Sequence, residues 1–172
     1  MTKKDQQLLE EIYKRAYEYE AKYGACPQAV LAALQDFFDG IDDQVIKAVH
    51  AFAGGGALCG EGTCGALAGG LAAISSYYGR ERSEFGQKTA ARKKNFSYAG
   101  QLQQKFNGTF GGTSCRQVQE NVLGRSYNMW DPEEYQEFEK AGGHKDKCTN
   151  VSGQVARWTA EILLEKGIEP KK

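Results

Sequence analysis

The sequence predicts an all-α protein, a compact multi-helix bundle around a central glycine-rich helix, and three observations carry that prediction. Apolar residues recur at three- and four-residue spacing in successive segments. No segment alternates apolar and polar residues with the period of two that a half-buried strand needs. Helix punctuation recurs between the segments, as at Gly24, Cys26-Pro27, Asp131-Pro132 and Gly142-Gly143.

The first element is a long amphipathic helix over residues 3–23. Leu8, Leu9, Ile12, Ala16, Tyr19 and Tyr23 share one face, and Thr2 with Asp5 forms a capping box. Glu10, Glu11, Lys14, Arg15, Glu18, Glu20 and Lys22 are expected on the wet face, and Gly24 ends the helix. The tyrosines can pack on the rest of the chain or on a second copy, so a homodimer is possible. Residues 24–166 form the cysteine-bearing core, and the whole chain, 1–172, reads as a single domain.

Pro27 at the first helical position makes Cys26 the cap of a second helix that runs to about Phe38. A third helix is expected from Asp43 to Phe52. Residues 54–62 are too rich in glycine for regular helix and read as a tight loop. Thr63 then caps the central helix, about residues 64–78. Glycine inside a helix costs roughly 1 kcal/mol relative to alanine. Gly65, Gly69 and Gly70 therefore predict a surface without bulk, which another backbone or a cluster can approach closely. A helix around Phe96–Phe106 is expected to break at Gly108–Gly112. Thr113 or Ser114 caps the next, which carries Cys115. Asp131-Pro132 starts another, and the last helix begins near Cys148 and ends at Gly167.

Lys+Arg and Asp+Glu balance at 22 each, which argues against nucleic acid or an anionic membrane as a partner. The basic run Arg92-Lys93-Lys94 reads as a solvated face. No stretch of about 18 apolar residues exists, so no membrane insertion is expected. The N-terminus is polar, without the apolar core of a signal peptide, so a cytoplasmic location is expected, where thiols stay reduced.

The chemistry lies in five cysteines, Cys26, Cys59, Cys64, Cys115 and Cys148. An odd number in a reducing compartment is no disulfide framework. Cys26, Cys64, Cys115 and Cys148 fall at predicted helix starts, and Cys59 lies in the loop that feeds Cys64. Helix N-termini present unpaired N–H groups and a partial positive charge, which lower a thiol pKa and can hold a thiolate-ligated iron–sulfur cluster. No C-x-x-C pair and no ferredoxin run is present, so a shared site must be assembled by the fold. Cys59 and Cys64 are five apart, close enough for a disulfide across the loop. His50 reads as a surface or partly buried residue, and His144, four residues before Cys148, as a weaker site candidate.

Cys26-Pro-Gln-Ala-Val-Leu, then Gly62-Thr63-Cys64-Gly65-Ala66-Leu67-Ala68-Gly69-Gly70, then single cysteines at 115 and 148, resembles the C-GCAxxG-C-C family of redox-active proteins over about residues 24–165. The resemblance implies a small helical redox protein of anaerobic or facultative bacteria and archaea, with selenoprotein relatives. The family is also similar to a domain of split-Soret cytochrome c for which an iron–sulfur centre is proposed. It carries the family cysteines onto Cys26, Cys64, Cys115 and Cys148. Thr63 departs from the family glycine, and Cys59 is an extra. Without C-x-x-C-H, covalent haem is not expected.

Three readings follow. In the first, Cys26, Cys64, Cys115 and Cys148 ligate an iron–sulfur cluster, [2Fe–2S] favoured, for electron transfer with a partner protein or a small-molecule acceptor. In the second, a metal-free thiol–disulfide oxidoreductase attacks with Cys64 and resolves with Cys59. In the third, the chain is a structural zinc-binding helical module.

Overall fold

The computed structural model describes residues 2–86 and 90–171. Among the described residues eight α-helices follow one another: α1 (Lys3–Tyr23), α2 (Cys26–Phe37), α3 (Asp43–Ala48), α4 (Gly65–Tyr78), α5 (Ala90–Phe110), α6 (Cys115–Leu123), α7 (Pro132–Lys140) and α8 (Cys148–Glu165). No strand occurs among the described residues; Thr63 and Ser114 form one isolated antiparallel bridge. The all-α expectation holds.

The amphipathic faces explain the packing. α1 lies along α8, α2 packs on both α1 and α4, and α4 also meets α5 and α8. The core between them holds Leu9, Ile12, Val30, Leu34, Leu67, Ile74, Leu102, Phe106, Val155 and Leu163, all 1% exposed or less. Burying one such side chain contributes about 1.5–3 kcal/mol. α4 can sit at the centre because its glycines admit neighbours. A Cβ at Gly69 would stand 2.6 Å from the carbonyl oxygen of Pro27, and one at Gly65 would collide with the Cys26 sulfur. The bulk-free surface predicted for this helix is where α2 rests.

Several boundaries and one face differ from expectation, each for a local reason. Ala25, in the left-handed region at φ 55°, precedes α2, and Cys26 is its first residue rather than its cap. Cys64, not Thr63, is the cap of α4, because Thr63 is held in the bridge to Ser114. The third helix stops at Ala48 and tightens into a 3₁₀ segment over His50–Gly55, which turns at Ala53 and Gly54. α5 continues through Gly108, where a side chain would meet only open space, and ends at Gly111 with φ 69°.

Glu20 was expected in solvent, yet it is 2% exposed. It lies four residues beyond Ala16 and eight beyond Ile12, on the stripe that faces α8. Three of the four α1 tyrosines bond within the chain, while Tyr23 is exposed. Tyr13 donates to Asn150 at 2.8 Å, Tyr17 to the carbonyl of Lys145, and Tyr19 to Asp36 at 2.7 Å. No helix among the described residues is long and apolar enough to cross a membrane.

Candidate functional site

Two of the cysteines reach the site through one backbone junction. The amide of Cys64 donates to Thr113 O at 2.7 Å, and the amide of Cys115 returns to Gly62 O at 2.9 Å. These bonds lock the entry to α4 against the entry to α6. Ser114 caps α6, accepting from the Gln117 amide at 3.3 Å.

The other two arrive independently. Cys26 opens α2 and is pressed onto α4 at Gly65, where even a methyl group would displace its sulfur. Cys148 opens α8, but a single π-turn over Gly143–Lys147 runs straight into it. Its amide donates to Gly143 O, so this start offers no free N–H at residue 148.

Cys26, Cys64, Cys115 and Cys148 all line one cavity of about 310 Å³, together with Glu20, His50, Leu58, Gln119, Met129 and His144 among others. That volume is far above the ~10–15 Å³ a single water needs. Cys64 and Cys115 are buried; Cys26 and Cys148 are half-buried on the cavity wall. All five cysteines are free. Cys59 does not line the cavity. It is exposed in an outer groove, and its thiol donates to Gly55 O at 3.3 Å. Cys59 adds to the upward shift of Cys115 and not to that of Cys64.

The electrostatics reverse the expectation that helix starts depress these thiols. Burial pushes Cys64 up to about 12 and Cys115 up to about 11, and it pushes Cys26 and Cys148 well up from their ordinary value. The Ala66 and Leu67 amides near the Cys64 sulfur pull the other way, as do the Gly54 amide near Cys26 and the Gln119 side chain at 3.5 Å from the Cys115 sulfur. Desolvation wins because each contact favours the thiolate by less than the loss of water disfavours it. Without a positive partner the four thiols are therefore neutral at physiological pH.

Glu20 is the residue that pattern reading assigned to the wrong face. Burial raises its carboxyl to about 8. The Ser152 hydroxyl lies close and opposes the shift, without forming a hydrogen bond of good geometry. One carboxyl oxygen has no partner at all. The other stands 3.7 Å from His144 Nε2, and His144 Nδ1 meets Glu139 at 2.5 Å. With Glu20 protonated at neutral pH, its contact with His144 is not an ion pair. His50, exposed, and His144, partly exposed, both reach the cavity wall.

A four-thiol donor set is soft enough for iron or zinc. Among the described residues, however, no group of three or more His, Cys, Asp or Glu side chains is arranged to hold a metal ion. The sulfurs surround a space; they do not converge on a point.

Known proteins add one finding. No curated protein and no solved structure matches the chain. A family model described as "Putative redox-active protein (C_GCAxxG_C_C)" matches residues 24–162, a span that holds all five cysteines. That match covers most of the sequence, and the chain belongs to the C_GCAxxG_C_C redox family.

Proposed function

We propose that this redox protein carries electrons through an iron–sulfur cluster, [2Fe–2S] favoured, held by Cys26, Cys64, Cys115 and Cys148. The observation that carries the reading is that four thiols from four helices, up to 122 positions apart in sequence, line a single cavity. Raised thiol pKa values support it. Gathering four neutral thiols around a buried space has no electrostatic benefit, and ionising them there is costly unless cations compensate. The donor set fits a thiolate-bound cluster in number and in softness.

The spread of the sulfurs suits a cluster better than a single zinc ion, and Cys26, Cys64, Cys115 and Cys148 would be the residues to hold it. When bound, such a cluster supplies one-electron chemistry. This chain's own residues do the rest. The amides of Ala66, Leu67 and Gly54 favour thiolate at Cys64 and Cys26. Leu58, Val118 and Phe138 on the wall limit water, and the protonated Glu20 keeps uncompensated charge out of the cavity. The electron partner is a redox protein or a small-molecule acceptor, in a reducing compartment such as the cytoplasm.

Anaerobic purification with an absorption spectrum and iron analysis tests the proposal. Iron with sulfur-to-iron bands in the visible is expected. Colourless, iron-free protein after anaerobic reconstitution with iron and sulfide would count against it.

A further inference from the structure

Cys59 is absent from the cavity, yet three contacts tie its loop to Cys115 and Arg116. The Arg116 amide donates to Gly60 O at 2.8 Å, and the Cys115 amide to Gly62 O at 2.9 Å, so the residue after Cys59 is bonded to the residue after Cys115. Glu61 pairs with Arg116 across the same junction. Gly55 lies between the two sulfurs' residues. Its carbonyl accepts from the Cys59 thiol at 3.3 Å, and a Cβ built on it would stand 2.9 Å from Cys115 Cβ. Leu58 and Gln119 belong both to the cavity wall and to the outer groove that holds Cys59, so they form the partition between Cys59 and the buried thiols. Residue 55 carries no side chain to separate the pair. The loop also contains residues outside the regular regions, Ala57 at φ 46° and Leu58 at φ 59°.

We infer that Cys59 and Cys115 are a dithiol pair that closes into a disulfide under oxidation, drawing Cys115 out of the buried set. The oxidant is a small disulfide. Cys59, exposed, attacks one sulfur of it as the thiolate; a mixed disulfide forms and one small thiol leaves. The Cys115 sulfur then attacks Cys59 Sγ, its proton passes to the second leaving thiol, and the protein disulfide forms. Two protein thiols lose two electrons and two protons, and the small disulfide gains both as two thiols. Bond formation stands by itself. Its consequence, that the cavity loses one of its four sulfurs and with it the capacity to take iron, rests on the reading proposed above.

Treating the reduced protein with glutathione disulfide, then alkylating and mapping peptides without reduction, tests the inference. Expected is loss of the free thiols at Cys59 and Cys115 in one joined peptide pair, with Cys26, Cys64 and Cys148 still alkylated. In Cys115→Ser, Cys59 should accumulate as the glutathione adduct. The oxidised wild type should fail to take up iron and sulfide, regain that capacity on reduction, and be outlasted by Cys59→Ser, which keeps it throughout. Wild-type Cys59 that stays free, remains an adduct, or joins Cys64 overturns the inference. A Cys59–Cys115 bond in a protein that never takes up iron in any form sustains the inference and removes the cluster reading alone.

Discussion

The two halves of the thiol site are built differently. Cys64 and Cys115 sit on helix starts that are bonded to each other, amide to carbonyl in both directions. Cys26 and Cys148 enter from α2 and α8 without such a tie, one seated by a glycine and the other carried by a π-turn. The bonded half is held by the backbone and should tolerate side-chain changes. The other half depends on helix packing, so its sulfurs should move when α2 or α8 moves.

Substitutions can break that difference. The largest effect is expected at Gly69→Ala, whose methyl group meets the Pro27 carbonyl and must push α2 off α4. A destabilisation of about 3 kcal/mol is expected from overpacking against rigid backbone, read as a lower denaturant midpoint. Iodoacetamide should then reach Cys26 sooner while Cys115 stays protected. Equal exposure of both thiols would mean that the two halves are not separately supported.

Glu20→Gln is expected next in size, with the opposite sign. Between pH 4.5 and about 8 the unfolded chain loses a Glu20 proton that the folded chain keeps. Stability therefore falls as pH rises through that window, and the glutamine variant loses this slope. A gain of about 3 kcal/mol at pH 7 is expected from the roughly 2.5 units between 4.5 and 7, measured by urea titration at several pH values. A variant with the wild-type slope would show that the carboxyl is ionised when buried.

Ser114→Ala probes the bonded half through its cap on α6. A loss of about 1 kcal/mol is expected, with the Cys64 and Cys115 thiols still protected because the backbone junction remains. In the metal-free protein at pH 8, Cys64 should react with iodoacetamide about a thousandfold more slowly than an ordinary thiol, from its rise to about 12 from 9.0. Ordinary reactivity there would favour an accessible nucleophile at Cys64.

Much of this was legible in the sequence because local rules decided it. The helices, the capping box at Thr2, a cap at Thr113 or Ser114, the helix start at Asp131-Pro132 and the bulk-free face of α4 follow from spacing and residue type. The placement of four cysteines near helix starts was also legible, to within a residue. What local rules could not supply was burial. Glu20 carries a charge and was assigned to water, although its register with Ile12 and Ala16 pointed inward. The thiols were expected at depressed pKa because helix ends are visible in a sequence and desolvation is not. The neighbour of Cys59 was equally hidden. Loop spacing pointed to Cys64, whereas the junction between residues 60–62 and 115–116 turns the loop toward Cys115.

The claim that four thiols act as one site is tested most directly by counting iron after anaerobic reconstitution across single cysteine-to-serine variants. Wild type and Cys59→Ser are expected to take up equal iron, and the variants at Cys26, Cys64, Cys115 and Cys148 each to lose most of it. Iron uptake indifferent to all four substitutions, or none in the wild type, would contradict the account.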